Sequence, residues 1–117
     1  MTIERIGLAA RYCDAAIFNG IIFLAGHVAE KTEGASLTEQ TEEVLALLED
    51  TLAQAGSRKE RILSVQIFLT DIGKIGEMNA VWDKWVAKGH SPARATVEAK
   101  LASPGYAIEI TAVAAKG

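Results

Sequence analysis

Apolar residues recur along this chain with two different periods, and each change of period marks an element. Leu45, Leu48, Leu52 and Ala55 fall at helical spacing, with Val44 and Leu47 widening the stripe. Ser36-Leu37-Thr38-Glu39 ahead of them has capping-box form, and Gly56 behind them suits a helix-ending position. A helix over Leu37–Ala55 follows. A second stripe, Ile75, Met78, Val81, Trp82, Trp85 and Val86, predicts a helix entered at Thr70-Asp71 and closed at Gly89. Gly76 lies inside that pattern and weakens its first turn by ~1 kcal/mol relative to alanine.

The remaining apolar runs read as strands. Ile3 to Ile6 is a short first strand. Ala15 to Phe18 and Ile21 to Ala25 flank Asn19-Gly20, a pair that accepts the positive φ angles of a type I′ hairpin. Gly26 ends the second arm, and His27 to Ala35 reads as a loop. Ile62 to Leu69 is rich in β-branched and apolar residues, as a central strand requires. Ser91-Pro92 leads into Pro92–Glu98, which alternates along a period of two, as does Ala107–Thr111. Pro104-Gly105 between them offers a turn, so these two strands are expected to pair antiparallel. With Glu98 opposite Ala107, Thr96 faces Glu109 and Arg94 lies diagonally from Glu109, ~7–8 Å away between backbones.

The resulting order, β-β-β-α-β-α-β-β, predicts an α+β fold in which two helices cover one face of a mixed six-stranded sheet. Residues 1–117 form one domain with no repeat or linker. The other sheet face stays uncovered although several strands look apolar on both sides. Such a face predicts association with further copies of the chain.

Composition narrows the function. Half the residues are hydrophobic and 23% are charged, a globular balance. The net charge of −3 gives no basic footprint for nucleic acid. A single cysteine, Cys13, leaves no internal disulfide, and no cysteine or histidine cluster has zinc-ligand spacing. No apolar run approaches membrane-spanning length and the start lacks a signal-peptide pattern, so a cytoplasmic location is the default expectation.

No nucleophile–base triad or phosphate-cradling glycine loop is present. Arg94 and Glu109 stand out, with Tyr12, Asn79, His27 and Cys13 as lesser candidates. An arginine presents a planar fork of donors that matches a carboxylate bidentately. A glutamate between Ile108 and Ile110 can exchange protons with a water. The competing reading is a cross-strand pair on a solvated face. His27 reads as a loop histidine, Cys13 as a small buried hydrophobe, and Trp82 with Trp85 as core or interface anchors.

Ser91-Pro92-Ala93-Arg94-Ala95-Thr96-Val97-Glu98, followed by Ile108-Glu109-Ile110, resembles the C-terminal signature of the Rid family. These are the reactive intermediate (enamine/imine) deaminases, also called the YjgF family. The likeness extends to Tyr12 before the Asn19-Gly20 hairpin, Ala25-Gly26 after it, and Ile67 to Asp71 leading to Met78-Asn79-Ala80. It implies a chorismate-mutase-like fold and a homotrimer with ligand pockets at the subunit interfaces. It also implies hydrolysis of 2-imino acids to 2-keto acids and ammonia without a cofactor. On this resemblance Arg94 binds the substrate carboxylate and Glu109 positions or activates water. Tyr12 lines the pocket, the Gly26 backbone lies beside the ligand, Asn79 sits near the interface, and Thr96 completes the binding set. Ala25 stands where well-known members carry serine, Thr96 where they often carry cysteine, and His27 where glutamine is common. Ala10-Arg11 replaces a Gly-Pro, and Trp82 and Trp85 replace smaller aromatics. On this resemblance these departures imply a divergent branch of the family.

Three functions stay open at this point. An imine deaminase needs only positioning and modest acid–base help of ~10²–10⁴. A non-catalytic trimer that binds small carboxylates, as a sensor or partner-binding module, would keep Arg94 for the same reason. Ribonuclease action is disfavoured by the acidic charge balance.

Overall fold

Two helices lie against one face of a twisted sheet in the computed structural model, which describes residues 2–117. The strands are β1 (Glu4–Ile6), β2 (Ala15–Phe18), β3 (Ile21–Leu24), β4 (His27–Val28), β5 (Ile62–Leu69), β6 (Ala93–Glu98) and β7 (Ile108–Ala115). The helices are α1 (Leu37–Gln54) and α2 (Ile75–Trp85). The sheet order is β1-β2-β3-β7-β5-β6, with β4 also paired to β7. This is the expected α+β arrangement, with one short strand more than the sequence pattern offered.

Local chemistry accounts for most boundaries. Asn19 and Gly20 both take positive φ, 54° and 77°, and close the β2–β3 hairpin. The Ser36 side chain accepts from the Glu39 amide at 3.1 Å, capping α1. Gly56 follows α1 with φ 80°, and the Ser57 amide reaches back to the Leu52 carbonyl. The Asp71 side chain accepts from the Gly73 amide and starts a single 3₁₀ turn, Ile72–Lys74, that runs into α2. α2 then stops at Trp85, short of the expected Gly89. Val86 adopts extended ψ, and Lys59 Nζ donates to the Trp85 carbonyl at 2.6 Å, so an outside donor satisfies that helix end.

The core lies between the helices and the sheet. Val44, Leu45, Leu48 and Leu52 of α1 and Met78 and Trp82 of α2 meet Val65, Ile67 and Leu69 of β5 and Ile108, Ile110, Ala112 and Ala114 of β7. Full burial of each large aliphatic chain contributes about 1.5–3 kcal/mol. The opposite face has no helix over it. Phe23, Phe18 and Val97 are 51%, 41% and 48% exposed, so the apolar face anticipated from the two-sided strands is present and open.

The expected β6–β7 hairpin is not formed. β6 runs parallel to β5, and β7 pairs antiparallel with β5 on the other side, so β5 separates the two strands. The reason is the length of the connection. Residues 99–107 arch over the end of β5, where the Ala99 amide bonds the Leu69 carbonyl and the Thr70 amide bonds the Ala107 carbonyl. Pro104-Gly105 turns this arch rather than a tight hairpin. The parallel β5–β6 pair then follows from the α2 crossover, which is long enough to return the chain in the same direction.

One buried polar residue, missed from the sequence, fixes that arch. Gln40 is 1% exposed on α1. Its Nε2 donates to the carbonyls of Gly105 (3.0 Å) and Ala35 (3.1 Å), and its Oε1 accepts from the Ala107 amide (2.8 Å). The helix thereby sets where β7 enters the sheet. Gln40→Leu would strand the Ala107 amide and the Ala35 carbonyl, the Gly105 carbonyl keeping its bond from the Gly34 amide, at about 1–3 kcal/mol for each buried group left without a partner. Urea unfolding is expected to show a loss of at least about 2 kcal/mol; an unchanged midpoint would mean that the arch holds itself.

Candidate functional site

The sheet positions the candidate residues in two groups. Arg94, Thr96 and Glu98 pair in register with Val65, Ile67 and Leu69, so all three point to the helix-covered side. There the Arg94 guanidinium lies over the Trp82 ring, 5.3 Å from its centroid. Asn79 sits one helical turn before Trp82 on α2. The Asn79 Oδ1 and Thr96 Oγ1 atoms are buried and have no hydrogen-bond partner among the described residues. Arg94 likewise makes no ion pair with a described residue; the ion pairs found are Arg58–Glu60 and Lys116–Glu4. Nearby Glu98 is engaged elsewhere, accepting from the Ile72 amide at 3.2 Å.

The second group gathers on the open face, around a β-bulge. β3 pairs with β7 through Phe23↔Val113, but β4 resumes at His27↔Ile110, one residue out of step. The extra residue falls at Leu24-Ala25-Gly26, and bulges of this kind re-aim the side chains around them. Glu109 is directed across the Gly26 backbone, where a Cβ would overlap its carboxylate. The Thr111 hydroxyl donates to the Leu24 carbonyl at 2.6 Å and holds the bulge. Tyr12, 61% exposed, lies in the β1–β2 connection, and the Asp14 carbonyl two residues on accepts from the Ala25 amide.

Arg94 and Glu109 therefore do not converge within one chain. Glu109 is level with Phe68 and Arg94 with Val65 on β5, an odd number of residues apart, so they project from opposite faces. A whole strand also intervenes, which places their backbones about 10 Å apart across the sheet. The diagonal inferred from an antiparallel pairing is corrected by the parallel β5–β6 ladder. Thr96 likewise does not face Glu109.

His27 is not in a loop. It opens β4, where Nδ1 donates to the Ala25 carbonyl at 2.7 Å and Nε2 pairs with Thr51 Oγ1 of α1 at 2.9 Å. It pins the bulge to the helix layer and points away from the Glu109 side. Cys13 is a half-buried free thiol. Among the described residues no group of histidine, cysteine and carboxylate side chains has the geometry to hold a metal, and no helix is long and apolar enough to cross a membrane.

Two helices on one face of this mixed sheet, with a bulge beneath a glutamate and an arginine on the β6 edge, define a YjgF-type α+β protein. A crystal structure of NMB1025, a YjgF-family member from Neisseria meningitidis, superposes with a TM-score of 0.96 at 47% identity, over 100% of this chain and 97% of that one. The chain belongs to the Rid/YjgF family, whose family model, described as Endoribonuclease L-PSP, matches residues 2–116. Similar proteins include a RutC family protein of Haemophilus influenzae, 46% identical over 97% of this chain and 98% of the relative. The RutC family protein YoaB of Escherichia coli K12 is 44% identical over 98% of this chain and 99% of the relative.

Gly26→Ala tests the packing of the second group. The new methyl must displace the Glu109 carboxylate, because the opposing backbone belongs to a bulge held on both sides. A crystal structure of the variant is expected to show that carboxylate swung off the bulge, in a protein that still folds. A carboxylate left in place would show that the backbone gives way instead.

Proposed function

We propose that this protein hydrolyses reactive 2-imino acids, and the enamines that tautomerise to them, to 2-keto acids and ammonia. The observation that carries this reading is Arg94: a guanidinium at a sheet edge, stacked on an indole and with no ion-paired carboxylate among the described residues. A planar small carboxylate is the natural partner for such a fork of donors. Family membership supports a Rid-type role in general terms.

In this reading the site is completed between chains. β6 is an edge strand, and the open apolar face around Phe18, Phe23 and Val97 requires cover. Setting the β6 edge of one copy on the open face of the next brings an Arg94 group to a Glu109 group. Head-to-tail contacts of this kind close into rings, and a homotrimer is the ring we propose.

The chemistry needs little. Arg94 holds the carboxylate so that the C=N carbon faces a water beside Glu109. The imine enters as its N-protonated form; the Glu109 carboxylate takes a proton from water as the water oxygen bonds to carbon, and the C=N π electrons move to nitrogen, leaving a neutral carbinolamine. The carbinolamine then collapses: Glu109 returns the proton to the amine, the hydroxyl oxygen forms the C=O bond as its own proton passes back to Glu109 and the C–N bond breaks, ammonia leaves the 2-keto acid, and Glu109 releases the last proton to solvent. Tyr12, Asn79, Thr96 and the Gly26 backbone would line the bound molecule. No cofactor or metal enters this sequence, because imine carbon is already electrophilic. Positioning together with acid–base assistance of ~10²–10⁴ is sufficient.

A second reading, a non-catalytic trimer that binds small carboxylates, is favoured by Ala25, which puts a methyl beside Gly26 where better-known relatives offer a hydroxyl. Ribonuclease action, which the description of the family suggests, fits poorly with a net charge of −3.

The deciding experiment generates 2-imino acids in situ with an amino-acid oxidase and follows keto-acid release with and without the protein. Acceleration is expected, and its absence alongside tight carboxylate binding would favour the second reading. Light scattering should give three times the 12.5 kDa chain mass; a monomer at micromolar concentration would sink the interfacial site. Glu109→Gln keeps shape but removes the basic oxygen. It is expected to lower turnover by about 10²-fold or more with carboxylate binding retained. Arg94→Ala should cost about 2–5 kcal/mol of transition-state stabilisation in an intact oligomer.

A further inference from the structure

Trp82 was read from the sequence as a core or interface anchor, and its burial fits that, since it is only 6% exposed. Its ring nevertheless has a second contact that a core role does not require. Its face carries the Arg94 guanidinium, 5.3 Å from the ring centroid. An arginine on an exposed edge strand ordinarily samples many rotamers, and fixing it on binding costs affinity. Attraction to an indole face holds the cation without occupying a single N–H donor, whereas an ion pair would consume the donors a ligand needs. Glu98, the carboxylate two positions beyond Thr96 on the same face, is tied to the Ile72 amide.

The indole is itself held. Trp82 packs against Trp85 with centroids 5.4 Å apart at 48°. Trp85 Nε1 donates to Glu49 Oε1 of α1 at 2.5 Å, and Lys59 lies 5.3 Å over the Trp85 ring while its Nζ donates to the Trp85 carbonyl. A continuous set of contacts therefore runs from α1 and the turn ahead of β5, through both indoles, to the Arg94 guanidinium. Tryptophan offers the strongest π face for a cation.

We infer that Trp82 is a positioning residue for Arg94, presenting its guanidinium ready-placed to a small carboxylate. The inference rests on the proposed role of Arg94 as carboxylate anchor, and it adds what sets that anchor's affinity. Trp82 touches no reacting atom. Its contribution passes entirely through Arg94.

A double-mutant cycle tests this, with 2-oxobutanoate as the probe and calorimetry or ligand-observed NMR as the readout. Trp82→Leu is expected to weaken 2-oxobutanoate binding about 5–30-fold, the range of a desolvated cation–π contact. Trp82→Phe, which keeps a smaller π face, should recover most of that loss. In the Arg94→Ala background Trp82→Leu should add nothing. KM should rise with Trp82→Leu while kcat changes little. Circular dichroism and oligomer mass are measured on each preparation, and Trp82→Met replaces Trp82→Leu if the latter does not assemble. Equal losses from Trp82→Leu in both backgrounds, or none in either, would overturn the inference. Wild-type protein that binds 2-oxobutanoate but hydrolyses no imine would overturn the enzymatic reading while the binding cycle still decides the role of Trp82. Wild-type protein that binds no carboxylate at millimolar concentration would overturn the inference itself.

Discussion

The placement of β5 between β6 and β7 governs everything else about this protein. Because β6 is parallel to β5 and β7 antiparallel to it, the two strands that carry the charged candidates sit on either side of a shared neighbour. The register then sends Arg94 toward the helices and Glu109 toward the open face. No side-chain motion within one chain can reverse that, since a strand alternates its faces residue by residue. The same topology leaves β6 as an unpaired edge and an apolar face without cover. The charged groups and the surfaces that would join them thus share one cause.

Each half is prepared by its own surroundings. On the open face, a one-residue bulge turns Gly26 toward Glu109, and His27 and Thr111 hold that bulge from opposite sides. On the helix side, the paired indoles hold Arg94, while Asn79 Oδ1 and Thr96 Oγ1 remain buried without partners among the described residues. Unpartnered buried polar atoms are costly, and their retention beside an unpaired cation suits a surface that meets a polar ligand or another chain. Gln40 ties the two halves to one frame by fixing the arch between β6 and β7.

Much of this was legible in the sequence, and the exceptions have physical reasons. The Asn19-Gly20 turn, the Ser36 cap and the α1 stripe are local signals, and local signals suffice for them. The pairing of β6 was not legible, because Pro104-Gly105 fits a hairpin and an arch equally well. The choice between them is made by the α2 crossover and by Gln40, far away in sequence. His27 looked like a loop residue because a two-residue strand has no period to detect. Trp82 was recognised as an anchor, but its contact with Arg94 follows only once β6 is placed beside β5 on the α2 side. Arg94 and Glu109 were singled out from their neighbours alone, and it was their mutual geometry that depended on the fold.

The central claim is that a working site takes its arginine from one chain and its glutamate from another. Mixing inactive Arg94→Ala and Glu109→Gln variants tests it most directly, after unfolding and joint refolding so that subunits exchange. Neither variant alone should hydrolyse imines at more than a small fraction of the wild-type rate. Random assembly of an equal mixture into closed rings should restore about a quarter of the sites, each with both native residues. Recovery of that order in the mixed oligomer is the expected result. A mixture no more active than its separate components, in rings shown by mass to contain both variants, would contradict the account.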